Sequence, residues 1–152
     1  MNFKALSIFK ALSIYLSLFS LLYLVTPLKA EITSEVRQLL DTKICQGCNL
    51  VGVNLNKVRL QKARLRKSNL AGANFSNSNL KGAYFTGANL KGANLSGSNL
   101  QWADFINADL TGVNFSGADL TNATFRKANI TNINFIGAKL TGAIMPDGSI
   151  HQ

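Results

Sequence analysis

The sequence has 152 residues, 47% of them apolar, and a formal charge of +9, which suits one domain with an ordinary hydrophobic core. A single histidine and two cysteines leave too few ligands for a zinc site. The positive balance points to anionic partners rather than to an acidic mimic of one.

The chain begins with Lys4 and Lys10, continues through "ALSIYLSLFSLLYLV" from Ala11 to Val25, and reaches Pro27 and "LKA". Basic, apolar and small-residue regions in that order form a secretory signal, with cleavage expected after Ala30. The alternative is an uncleaved membrane anchor, because the apolar run approaches the length of a spanning helix. The remainder, from Glu31 onward, carries 13 Lys or Arg against 7 Asp or Glu and stays basic at +6.

Residues 31–47 form a cap and turn. In "ITSEVRQLLDTK", Thr33 or Ser34 starts a short helix, and Val36, Leu39 and Leu40 are expected on one inward face. "CQGC" follows, with Cys45 and Cys48 the only cysteines. After export they would meet an oxidising compartment where a disulfide persists. Buried free thiols, redox chemistry and metal binding stand as alternatives. A thioredoxin-like centre would be followed by a helix, which Cys48 is not.

From residue 48 to 147 an apolar residue recurs at every fifth position, from Leu50 to Met145, and nineteen of the twenty are Leu, Phe or Ile. Two residues before each stands a small or β-branched side chain. Neither a helix nor a strand has this period. The residue before the apolar one is Asn or Asp at 14 of 20 places, and Gly stands two after it at 10 of 20. Both types favour turns, so the chain must turn every five residues.

Segments such as "ANLKGANLSGSNL" and "ADFINADLTGVNF" closely resemble the pentapeptide-repeat family. The resemblance implies an all-β solenoid, a right-handed quadrilateral parallel β-helix with four pentapeptides per coil. Five coils at the usual strand spacing would make a rod of about 24 Å. Similar cysteine pairs introduce the repeats in exported, cyanobacterial-type members, which favours a disulfide here.

A coil of twenty sorts side chains onto four sides. Side one centres on Leu50, Leu70, Leu90, Leu110 and Ile130; side two on Leu55, Phe75, Leu95, Phe115 and Phe135. Side three centres on Leu60, Leu80, Leu100, Leu120 and Leu140; side four on Leu65, Phe85, Phe105, Phe125 and Met145. All six Phe of the repeats therefore fall on two opposite sides, where two rings and two Leu fill a layer that four rings would overfill. Asn54, Asn74, Asn94, Asn114 and Asn134 fall in register on side two, as an amide ladder. Residues 148–152 read as a tail. An open edge on the last coil would be covered by that tail or by a second copy, and the resemblance implies end-to-end homodimers.

Three features remain as candidate sites. Cys45 and Cys48 are the disulfide candidate. Lys57, Arg59, Lys62, Arg64, Arg66 and Lys67 form a basic belt around one end of the rod, suited to an anionic surface or an acidic protein, or simply a solvated face. Tyr84, Trp102 and Ile106, near Arg64, Arg66 and Arg126, form an aromatic and apolar patch of the kind found at protein interfaces.

No nucleophile with a base, carboxylate pair or ligand cluster points to catalysis, and no cofactor is implied. Some members of the family protect DNA gyrase by imitating duplex DNA; the basic charge and the export signal set this chain apart from them, and nucleic acid is disfavoured. The expectation is a non-enzymatic exported scaffold or protein-interaction module of unknown partner, in the periplasm or thylakoid lumen. The alternative is a basic belt docked on an anionic membrane or acidic partner.

Overall fold

The computed structural model describes residues 33–152. The segment 1–30, read above as a signal or an anchor, lies outside the described residues. Among those described, no helix is long and apolar enough to cross a membrane.

Helix α1 spans Ser34–Thr42. It starts where the Thr33 hydroxyl accepts the Val36 N–H at 3.2 Å, satisfying one of the donors left over in a first turn. It stops at Lys43, which takes a left-handed conformation (φ 59°) and returns its N–H to the Leu39 carbonyl. Val36 and Leu39 join the core, whereas Leu40 is 40% exposed. The inward face is therefore narrower than expected. The helix seals only the end of a slender coil, so a third apolar residue 40° around from Val36 finds nothing to pack on.

Beyond α1 the chain coils with a period of twenty. Parallel pairing joins residue i to i+20 in an unbroken series from Ile44 with Arg64 to Thr124 with Ile144. Each coil is tied to the next in both directions: Leu110 donates its N–H to the Asn129 carbonyl, and Asn129 donates its own to Ala108. Between straight segments the chain turns. The N–H of Val113 donates to the Leu110 carbonyl at 3.0 Å, and equivalent bonds recur along the rod. The residue two after each inward centre has φ between 55° and 73° at all twenty positions from Gly47 to Gly142. This is the type II arrangement, which favours Gly or Asn at that position.

The interior is filled as the sequence predicts. Ring stacks run along side four, with Phe85 to Phe105 at 5.0 Å and Phe105 to Phe125 at 5.2 Å between centroids. Phe115 stacks on Phe135 along side two. Rings from the two sides also meet edge to face, as Phe105 and Phe115 do at 5.6 Å, so the two columns interlock rather than merely face each other across Leu. Where the small inward residue is Ser, its hydroxyl is engaged by a carbonyl: Ser78 donates to Leu55 at 2.9 Å.

Three of the four rungs of the amide ladder on side two are formed, with Asn74 donating to Asn54 and Asn134 to Asn114 at 3.1 Å and Asn114 to Asn94 at 3.4 Å. Asn89 and Asn69 add a rung on side one. The same oxygens also act locally. Asn114 Oδ1 accepts the Ser116 N–H at 3.0 Å, and this step recurs around the coil. Asn and Asp thus satisfy a turn donor first and join coils second.

At the far end the tail folds back along side four. Ile150 pairs antiparallel with Ile144, His151 donates to Ala143, and Gly142 donates to His151. The other sides of the last coil are left open. Ile130, Phe135 and Leu140 are only partly buried. Their N–H groups have no backbone acceptor among the described residues, unlike those of Leu110, Phe115 and Leu120 one coil earlier.

Candidate functional site: the fourth side of the rod

Sorting the outward positions by side separates one surface from the rest. Six of the twenty residues preceding an apolar centre are neither Asn nor Asp. Four of them, Arg64, Tyr84, Thr124 and Ile144, stand in one column on side four, where they pair in register with Asp104 in the middle. Arg59 and Lys139 fall on side three, and sides one and two keep the rule throughout. The turn chemistry of the repeat is thus given up repeatedly on a single face.

The six cations of the belt are all exposed. They do not encircle the rod: they run from the corner before side three, across sides three and four, to the corner after side four. Lys57, Lys62 and Lys67 occupy corner positions with positive φ. Lys91 and Asp109, 3.1 Å apart on side one, are the one ion pair among the described residues, so none of the belt's charges is neutralised there.

Belt and patch, separate in the sequence, meet on side four. Arg64 is the register partner of Tyr84, and the Arg66 guanidinium lies over the Tyr84 ring, 5.2 Å from its centroid. Such stacking favours one rotamer of each side chain. These three residues and Gln46 line a depression of about 280 Å³. Gln46 had no signal of its own in the sequence; only the twenty-residue register sets it beside Arg66.

Trp102 is 62% exposed at the corner leading into side four, with φ 62°. That conformation is an outlier for a bulky residue. Tyr84 is 37% exposed, whereas Ile106 is only half-buried and so contributes less apolar surface than expected. Ile136 on side two and Val51 on side one are exposed as well. Apolar exposure by itself therefore does not single out the patch; the conjunction of aromatic rings with guanidinium groups does.

The carboxylates are held by the repeat. Asp104 accepts the Thr86 hydroxyl at 2.9 Å and the Ile106 N–H at 2.8 Å. The Thr111 hydroxyl, helped by its N–H and Lys91, holds Asp109 below the ordinary aspartate value against the opposing effect of burial. Burial is the largest influence on Asp119 and pushes it up. Thr121, Gln101 and Lys139 together outweigh burial and leave the group lowered.

Cys45 and Cys48 are joined as a disulfide, both buried. Cys45 Sγ lies 3.4 Å from the Glu35 carbonyl, and the Glu35 carboxylate accepts the Asn49 N–H. The Glu35 carboxylate thereby ties α1 to the first coil, and the bridge closes the turn from Cys45 to Cys48 beside it.

A family model described as a pentapeptide repeat region matches residues 44–105, 67–135 and 84–151. Among solved structures, a pentapeptide repeat protein from the Arabidopsis thaliana thylakoid lumen is 36% identical over 70% of each chain, with a TM-score of 0.53. A pentapeptide repeat protein from the cyanobacterium Cyanothece is 28% identical, covers 71% of this chain and 94% of its own, and has a TM-score of 0.41. A plasmid-mediated fluoroquinolone resistance protein, 18% identical with a TM-score of 0.54 over 67% of this chain and 57% of its own, is alike in fold alone. No curated protein sequence matches the chain.

Proposed function

Because the chain belongs to the pentapeptide-repeat family, we propose that it is a non-enzymatic, rigid interaction module that presents a partner protein with the fourth side of a right-handed, four-sided rod. The observation that carries this reading is the concentration of departures from the Asn/Asp rule on that side. Replacing a residue that satisfies a turn donor weakens the solenoid locally. Folding alone does not account for the exposed Arg64 and Tyr84, whereas Ile144 pairs with the returning tail and the Thr124 hydroxyl is buried. A packed core of Leu and Phe leaves no interior for a substrate, and the carboxylates of the repeat are engaged in turns. Export to the periplasm or thylakoid lumen is part of the proposal. It is supported by the basic, apolar and small-residue order of residues 1–30 and by the lumenal source of a 36% identical relative.

The second reading is docking of the basic belt on an anionic membrane or an acidic partner, favoured by six exposed cations that form no ion pair among the described residues. Affinity capture from the protein's own compartment separates the two. The module reading expects a partner that survives high salt and is lost with Trp102→Gly. A partner lost in salt alone and indifferent to Trp102 indicates the belt.

A further inference from the structure

We propose that the depression formed by Gln46, Arg64, Arg66 and Tyr84 is a carboxylate-binding pocket that receives an acidic side chain from an extended segment of the partner protein. This rests on the reading of side four as the partner surface and adds the chemistry that the surface selects.

The lining has two guanidinium groups, a phenol and an amide, and no carboxylate. A guanidinium offers a planar fork of donors that matches a carboxylate with two parallel hydrogen bonds. Arg66 is already oriented by the Tyr84 ring, so less side-chain freedom is lost on binding. Neither arginine is in an ion pair among the described residues. Asp104, the nearest acid along the column, has both oxygens engaged by Thr86 and Ile106. At about 280 Å³ the depression is at the lower edge of the range for small-molecule ligands, and its cationic and polar lining suits an anionic group.

The surroundings favour a peptide over a lipid surface. Ile106 lies two coils along the rod from Arg66, about 10 Å at the usual strand spacing, and Trp102 stands in the same coil as Ile106, at the corner that opens side four. An extended segment rises about 3.3 Å per residue and directs alternate side chains to one face. With a carboxylate on the arginines, apolar side chains two and four residues further on fall about 7 and 13 Å along the rod and so bracket the coil that carries both Ile106 and Trp102. A flat anionic surface, by contrast, could not meet all six cations at once, because Lys57 and Arg59 point from another side of the rod.

Trp102 is the single tryptophan of the chain and reports occupancy by its fluorescence. The protein purified from its own cells is titrated with a tryptophan-free peptide carrying one glutamate and leucines two and four positions on. The same peptide with glutamine in place of glutamate, and phosphatidylcholine vesicles with and without phosphatidylglycerol, serve as comparisons. The glutamate peptide should shift the emission saturably, and affinity should fall about tenfold or more with the glutamine peptide or with Arg66→Gln. Arg66→Lys, which keeps the charge but not the fork, should lose affinity in between. Lys81→Gln, an equal change of charge at an exposed position on side three, should stay within about twofold. Equal binding of both peptides, or equal losses for Arg66→Gln and Lys81→Gln, overturns the pocket. So does a response to phosphatidylglycerol vesicles without one to the peptide. If the pocket fails while Trp102→Gly still abolishes capture of the native partner, the fourth-side reading stands; if capture is also unaffected, both fall.

Discussion

Trp102 sits where the repeat favours Gly, in a backbone conformation that costs a bulky residue about 1–2 kcal/mol. Eleven of the twenty equivalent corners are Gly and four are Asn. Trp102→Gly should therefore raise stability by about 1 kcal/mol, after allowing for the greater freedom glycine has when unfolded, while eliminating partner capture. Thermal melts of the two proteins check the first half, and a clear loss of stability would mean that the ring is a packing residue. The lowered carboxylates make a second residue-scale prediction. Asp109 and Asp119 ionise more readily in the fold than at their ordinary value of 3.8. Their contribution to stability is present above that value and is lost as pH falls through the lower folded one. The double variant Asp109→Asn with Asp119→Asn should lose less stability than the parent between about pH 4 and about pH 2, as read by denaturant titration at each pH; parallel acid limbs would contradict it. Asp and Asn were legible in the sequence as turn residues. That their oxygens accept an N–H two residues on was not, because the bond depends on a turn conformation that residue type only suggests.

At the scale of one pentapeptide, the Leu or Phe centre, the small inward residue and the corner form a unit that carries no fold by itself. Only stacking on the next coil satisfies its backbone. The expected alternation of large rings is borne out by the Phe85, Phe105 and Phe125 stack and by its edge contacts with side two. Leu110 and Leu120 are fully buried beside these interlocked rings. Leu110→Phe or Leu120→Phe should destabilise by about 1–3 kcal/mol through overpacking, and an unchanged unfolding midpoint would show that the layers tolerate a third ring. Helix α1 was legible from its Thr33 cap and from Val36 and Leu39, whereas Leu40 was misplaced. A helical period marks which residues share a face, but how wide a face is buried depends on what the helix meets.

Over the whole rod, the open sides of the last coil combine unpaired N–H groups with the partly buried Ile130, Phe135 and Leu140. A β edge flanked by apolar side chains is a template for another chain. We propose that a second copy occupies it, so light scattering should give twice the chain mass and Phe135→Glu should return the monomer; a monomeric parent protein would end the idea. The tail bears on the same edge, and its antiparallel return over side four had no more signal in the sequence than a turn at "DGS". By itself the sequence determined the five-residue period, the turn at each corner and the ten-residue spacing of the rings, because turn formers at every fifth residue leave only short straight segments. The coil of twenty, and with it the contents of each inward column, came with the resemblance to the family. Only the tertiary structure decided that Gln46, Arg64, Arg66 and Tyr84 share one depression, and which sides of the far end stay open. Those outcomes depend on side-chain directions across coils and on where the tail packs, which no local period encodes.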